Sequence, residues 1–368
     1  MAGLGVAWSL SRLGVNEVVV LDAGTPGQQA TARSSGGIRR QFATAIEITL
    51  TTLSLPFFEE AFASPDFSGG GLKQLGYAFL AGERDAAALA AAWALQQEMA
   101  VPSQWLEPDQ IRSRFPYLDA TGLRGGTFSP EDGFVDPWAL HQWLLRDCRR
   151  RGITVLADER VLAIESSARR VSTVRTATRN FEPESVVNAA GAWARSVSRL
   201  AGSDVAIDPS PRVKLVTDLH PPLPADMPLT TDLETGAYVR SESGAAMVGV
   251  KPDRAVIGFE IDTSPDLLAG MARRASVRFP SLVEARLAHL VTGLYEVTAD
   301  GLPVAGADPT LKNLFVLGGF NGHGIMHSPA LARALAESIV LGAPKDLDLG
   351  ELSPQRLTEA PAAGRDLL

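Results

Sequence analysis

The sequence predicts an α/β protein, a Rossmann-like body interrupted by an antiparallel β-sheet region, and three observations carry that expectation. The chain opens on "MAGLGVAWSLSRLGVNEVVVLD", a helix-like run broken at Gly14 and followed by a buried-strand pattern that closes on Asp22. Residues 206–290 lose the alternation of strand and helix and read as successive strands, "RVKLVTD", "GAYVRSE", "AAMVGVK" and "AVIGFE", with turns between them. The alternation then returns in "NLFVLGGFNGHGIMHSPALARALAESIVLG", a strand, a glycine-rich turn and a helix expected from about Ile325 to Leu341.

The opening stretch reads as the second half of a dinucleotide-binding βαβ unit. In that unit a strand feeds a glycine-rich turn, a helix starts on the third glycine, and a second strand ends on an acid about 20 residues further on. Gly3 fits the third glycine, with Ala7 keeping the helix close to the sheet, and Asp22 fits the acid that accepts hydrogen bonds from ribose hydroxyls. An ordinary helix and strand with a chance acid is the competing reading, because the preceding strand and the first two glycines have no counterpart. A central parallel strand is not deleted without exposing the ladder groups of its neighbours. Roughly 8–15 residues, one strand of about 5–6 plus a turn, are therefore expected to precede Met1 in the natural protein.

The elements that follow are punctuated by their own signals. "TPGQQATARSSGGIRRQF" is a loop rich in glycine and serine, "TLTTLSLPFFEEAFA" a helix, "LKQLGYAFLAG" a strand and "EPDQIRSRFPYLD" a capped short helix. "GGTFSPEDGFVDPWALHQWLLRDCRRRG" passes from strand to turn to a helix capped by Asp136 with Pro137 at its first position. A second βαβ-like passage holds a strand at Ile153 to Leu156, a hairpin-like alternation, and the strand Val186-Val187 running into "NAAGAWA".

Composition excludes several functions. The 34 basic and 42 acidic residues, net charge -8, form no Lys/Arg-rich tract of the kind that follows a phosphate backbone, so no nucleic-acid partner is expected. Cys148 is the single cysteine, which leaves neither a disulfide framework nor a thiolate metal cluster and suits a reducing cytoplasm. His141, His220, His289, His323 and His327 show no HExxH or similar ligand spacing, so no metal is expected. Apolar runs stop short of the ~20 residues of a membrane span, and no signal peptide is recognisable.

The strongest chemical signal is "FVLGGFNGHGIMHSPALARALAESI". Gly318, Gly319, Gly322 and Gly324 lie between a buried strand and a helix, so backbone can approach a ligand while the helix N-terminus offers unpaired N–H groups to negative charge. Taken alone, the stretch serves equally well as a mere turn. The order of "GVAWSLSRLG…VVVLD", "SSGGIRRQF", "VVNAAGAWA", "GLYEVTADGLPVAG" and "GGFNGHGIMH" resembles the FAD-dependent D-amino-acid oxidase family, in particular its sarcosine oxidase, dimethylglycine dehydrogenase and glycine oxidase branch. The likeness runs from Gly3 to about Leu341.

The resemblance implies a glutathione-reductase-type FAD-binding domain in three pieces, residues 1–55, 137–205 and 291–345. A roof over the substrate would come from 56–136 and 206–290, and 346–368 would be a C-terminal tail. It implies that Gly3 belongs to the FAD turn and that Asp22 holds the adenosine ribose. Ser34, Ser35, Gly36 and Gly37 would approach the flavin and its phosphates, and the backbone of Val161 would meet the adenine. Ala190 and Gly191 would pass close to the cofactor, while Gly322, His323, Gly324, Ile325 and Met326 would follow the ribityl chain and the N1–C2=O edge. Reduction places negative charge on that edge, which the helix start at Ile325 would stabilise.

For substrate, Arg39 matches an arginine that clamps an amino acid carboxylate, with Arg40 beside it; a structural or solvated arginine pair is the competing reading. Tyr295 matches a pocket-lining position and Tyr238 lies on a strand of the roof, each with a plain core tyrosine as its alternative. Gly293 stands where monomeric sarcosine oxidases carry the cysteine that bonds FAD, so non-covalent FAD is implied. Met326 and Met247 stand where that branch has lysines. The implied activity is oxidation of the C–N bond of a small secondary or N-methylated amino acid by hydride transfer to flavin N5, with O2 or another redox carrier as acceptor. A place as one subunit of a hetero-oligomer stays open. A non-catalytic FAD-fold assembly or interaction protein is the alternative from a different class, and a flavin monooxygenase is a weaker one.

Overall fold

The structure, a computed structural model, describes residues 1–218, 223–254 and 256–358 of the chain. His220 and residues 359–368 of the expected tail lie outside the described residues. The opening helix Ala2–Arg12 buries Leu4, Val6, Ala7 and Trp8 and crosses the long helix Gly324–Leu341, where a Cβ on Gly5 would meet Ala332 Cβ at 3.1 Å. Glycine is what lets these two backbones lie so close. The helix Pro137–Arg150 flanks them, capped as expected by the Asp136 carboxylate, which accepts from the N–H groups of Trp138 and Ala139.

Two parallel pairs form the sheet side of this body. Val19–Leu21 pairs with Thr154–Leu156, and Val186–Asn188 pairs with Leu314–Gly318, whose other edge takes Val304–Ala307 in antiparallel register. Among the described residues no strand pairs with the remaining edge of Val19–Leu21 or of Val186–Asn188. A three-stranded antiparallel sheet, Ala163–Ser167, Arg170–Arg175 and Asn180–Phe181, stands beside them.

The larger sheet has eight strands, in the order Leu287–Val297, Asp208–Thr217, Ala245–Val250, Ala237–Glu242, Leu229–Asp232, Tyr77–Ala81, Gly125–Ser129, Gln104–Leu106. Every neighbour is antiparallel except Leu229–Asp232 against Tyr77–Ala81, where two distant parts of the chain meet after a long crossover. The strand reading of 206–290 needs two corrections. A helix, Pro265–Arg278, lies within it, capped by Ser264 and burying Met271 and Ala275 on the apolar side of the sheet. The described part of "AVIGFE" forms no strand: Gly258 donates to Pro209 O and Ser210 Oγ to Val256 O, but Pro209 and Pro211 bring no N–H to extend a ladder.

Asn313 ties the small sheet to the body. It is buried, its Oδ1 accepts from Val171 N at 2.7 Å, and its Nδ2 donates to Val171 O and Glu184 O, each at 3.0 Å. Asn313→Ala strands those backbone groups and is expected to cost about 2–3 kcal/mol in a denaturant unfolding curve; a loss below about 0.5 kcal/mol would show that water replaces the side chain.

Candidate active site

A cavity of about 2410 Å³ lies between the α/β body and the eight-stranded sheet. That exceeds the roughly 300–1,000 Å³ of a drug-sized pocket and is room for an extended dinucleotide together with a small substrate. The structure brings the sequence-predicted site residues together on its wall, from Gly3 and Asp22 through Ser34, Ser35, Gly37, Arg39 and Val161. Ala190, Gly191, Tyr238, Tyr295 and the whole run Gly322 to Met326 complete the set. Gly36 is the exception. Its φ of 68° turns the loop, its N–H donates to Ser34 Oγ, and a Cβ there would collide with Val135 O.

The cavity's donors suit a phosphate-bearing ligand. The helix Gly324–Leu341 begins on the wall without a side-chain cap, and so does Ala2–Arg12, so two positive helix ends and their first N–H groups face the cavity. Asp22, at the end of Val19–Leu21, accepts from Gly24 N at 3.0 Å and lies on the wall, where its oxygens can meet hydroxyl donors. Together these would hold a dinucleotide by its ribose and pyrophosphate. No group of three or more His, Cys, Asp or Glu among the described residues is placed to hold a metal ion.

At the other end three tyrosines each lie against a glycine. A Cβ on Gly37 would collide with the Tyr77 hydroxyl, one on Gly249 with the Tyr238 ring, and one on Gly322 with the Tyr295 ring. Burial raises the pKa of all three tyrosines, so their hydroxyls stay protonated. Arg39 is 5% exposed, lies over the Phe42 ring at 3.8 Å, donates to Gln41 O, and sets its Nη2 3.1 Å from His323 Nε2. Arg40 instead pairs with Glu131 at the surface. Burial and then the Arg39 charge hold His323 well below the usual histidine pKa. The ring is therefore neutral, and since a guanidinium only donates, Nε2 accepts and the proton sits on Nδ1, 3.9 Å from Glu47 Oε1.

Met326 touches the cavity but buries its side chain with Phe42, Ile48 and Val101. Gly293 faces Arg33, and no thiol is near it, Cys148 being buried in the core. Three charged residues on the wall were not picked out from sequence. Lys214 is 8% exposed and donates through Nζ to Arg33 O at 2.7 Å and to Ser35 Oγ at 3.1 Å. Arg212 stacks 4.6 Å over the Tyr295 ring. Glu296 accepts from Gly319 N at 3.1 Å, and burial, opposed by that N–H, pushes its pKa up to about 7. The signal for the first two was the alternation in "RVKLVTD", which puts both cations on one strand face.

A protein-family model, DAO, described as FAD dependent oxidoreductase, matches residues 1–338. The chain is 27% identical over 403 residues to FAD-dependent oxidoreductase domain-containing protein 1 of Xenopus laevis, covering 97% of this chain and 80% of that one. It is 28% identical over 272 residues to the mitochondrial dimethylglycine dehydrogenase of Rattus norvegicus, covering 68% of this chain and 31% of that one. Its fold is that of the L-proline dehydrogenase from P. horikoshii, with a TM-score of 0.88, 23% identity, and 97% and 95% of the two chains covered. No helix among the described residues is long and apolar enough to cross a membrane.

Glu296 generates a pH test. Its carboxyl ionises at about 7 in the folded chain against 4.5 as the ordinary value. Between those values the folded chain holds the extra proton, so the stability this group contributes is present below the lower value and is lost as pH rises through the upper one. Glu296→Gln removes that loss. The variant is expected to gain on the parent protein in thermal melts as pH rises through this window; a difference between the two that does not change with pH would refute the assignment.

Proposed function

The chain belongs to the FAD dependent oxidoreductase family, and from that premise we propose that it oxidises the C–N bond of a small secondary or N-methylated amino acid. The observation that carries this reading is Arg39: a buried guanidinium, braced on Phe42 and His323, on the wall of the cavity that also holds Tyr238 and Tyr295. A planar fork matches a carboxylate at two oxygens, and the aromatic walls beside it suit a small amine. The family relative whose name specifies dimethylglycine supports an N-methylated substrate.

Asp22, Gly3 and the backbone of Val161 would hold the adenosine half of the cofactor. Ser34 to Gly37, Ala190, Gly191 and the helix start from Gly322 to Met326 would hold the flavin half. FAD bound there supplies the two-electron acceptor for the hydride. Arg39 would fix the substrate carboxylate, which orients the carbon next to nitrogen. Tyr77, Tyr238 and Tyr295 would exclude water around an amine that reacts in its neutral form. The imine product then hydrolyses in water. No side chain has to act as a general base in this scheme, and neutral His323 is spoken for by Arg39. In this reading the eight-stranded sheet is the substrate-facing roof and the enzyme works in a reducing cytoplasm.

Three measurements test the proposal. Acid precipitation of the yellow holoenzyme is expected to leave all flavin in the supernatant, because glycine occupies position 293; flavin retained on the precipitate would overturn non-covalent binding. Under anaerobic conditions an N-methyl amino acid should bleach the flavin. Arg39→Lys is expected to lower kcat/KM by roughly 10–100-fold, the loss of one charge-assisted bond of about 1.5–3 kcal/mol, with the flavin spectrum unchanged. Flavin that stays oxidised across a series of amino acids would remove the catalytic reading.

A further inference from the structure

The two cations on the strand Asp208–Thr217, Arg212 and Lys214, have no assigned task in that scheme. Lys214 lies opposite Gly249 on one side and Val291 on the other, and Arg212 lies opposite Gly293. Residues opposite one another in an antiparallel pair share a face, so both cations stand on the face where the Tyr238 ring lies over Gly249 and Arg33 lies over Gly293. The Lys214 ammonium reaches out of the sheet to the loop at Arg33 and Ser35, and Ser35 Oγ is also 3.6 Å from Met247 Sδ. The methionine at 247 therefore does not leave this corner without charge: the neighbouring strand delivers an ammonium to it.

The charged groups packed around Lys214 are cations. Arg212 is two residues away on its own strand, Arg33 is in the loop above, and Arg240 is on the strand Ala237–Glu242, where it pairs with Glu242. Tyr238, on that same strand, faces the cavity as a neutral phenol. No carboxylate among the described residues forms an ion pair with Lys214. Its two described partners, a carbonyl and a hydroxyl, use two of three N–H donors. Burial, with repulsion from Arg240 second, lowers its pKa to about 8, so it remains mostly charged at neutral pH. A buried ammonium without a counter-charge is costly, and the cost is recovered where an anion forms next to it.

We propose that Lys214 is a redox-tuning residue, whose ammonium stabilises the negative charge that a flavin in this cavity acquires on two-electron reduction. The inference rests on the reading of the loop Ser34 to Gly37 as the flavin-facing loop. It adds a second positive element to the helix end at Gly324, contributed by the roof sheet. The substrate carboxylate is served by Arg39, so Lys214 acts on the electron acceptor and not on substrate affinity.

The experiment compares holoenzyme carrying Lys214, Lys214→Met, Lys214→Gln and Lys214→Arg. The measurements are FAD dissociation constant, two-electron midpoint potential, and affinity for sulfite, which places an electron pair on bound oxidised flavin. Lys214→Met is expected to lower the equilibrium constant for reduction about 10-fold, a shift of about 30 mV toward lower potential, and to weaken sulfite binding about 10-fold. Lys214→Gln, which keeps a donor for Ser35, moves both in the same direction, and Lys214→Arg keeps both near the parent values. Unchanged potential and sulfite affinity on flavin that is still bound would overturn the proposal. So would weaker FAD binding alone, which would make Lys214 a tether for the loop. Failure of the unaltered protein to bind FAD would instead overturn the functional reading, and this inference with it.

Discussion

The site depends on one knot of hydrogen bonds between the end of the strand Leu287–Val297 and the glycine-rich turn. Asn321 donates its backbone N–H to Glu296 O at 3.0 Å and its Nδ2 to Thr298 Oγ1 at 3.1 Å and to Gly319 O at 2.6 Å. In return Thr298 N donates to Asn321 Oδ1 at 3.2 Å, and Gly319 N to the Glu296 carboxylate. Asn321 sits at a φ of 51°, a left-handed conformation that asparagine tolerates better than most residues. This knot fixes the strand Leu287–Val297, and through its ladder the strand Asp208–Thr217, relative to the start of the helix Gly324–Leu341. Tyr295, Arg212 and Lys214 on one side and Gly322 to Met326 on the other are held in register by it.

Much of this was legible in the sequence, and the reason is local. The helix at the opening, the acid at the end of the next strand, the Asp136 cap and the glycine turn are each written in fewer than about 20 consecutive residues, where period and capping chemistry speak directly. Arg39 and Arg40 could be ranked but not separated, because their opposite fates are set by Phe42 and His323 on one side and Glu131 on the other. Lys214 and Glu296 were missed for a different reason. A single charge inside an apolar strand reads the same whether the strand faces solvent or a ligand cavity, and only the sheet order distinguishes the two. The helix Pro265–Arg278 carried its Ser264 and Pro265 signal in plain view, but it lay amid strands, and its 14 residues include a glycine that weakens the helical pattern.

Charge is distributed with a sense. The chain is acidic overall, yet the loop after Gly37–Ile38 and the strand Asp208–Thr217 bring Arg39, Arg212 and Lys214 to the cavity wall. Glu296, also on the wall, has its carboxyl shifted toward the neutral form near pH 7. Acids such as Asp22 and Glu159 line the opposite end, where hydroxyl and amine groups of a nucleoside would lie. A ligand that is neutral or cationic at one terminus and gains negative charge at the other fits that polarity.

The three tyrosine and glycine contacts have a consequence for how this wall can change. Tyr77 with Gly37, Tyr238 with Gly249 and Tyr295 with Gly322 are joined by exclusion: the Tyr77 hydroxyl and the rings of Tyr238 and Tyr295 occupy the volume where the partner glycine would carry a Cβ. A side chain at any of these glycines demands that the ring be vacated first, and removal of a ring frees room that only a change at the glycine can refill. Each pair is thus a single unit of heredity. Variation in the shape of this wall among descendants of this chain must proceed by paired replacement, passing through an intermediate in which the wall has a hole but no clash.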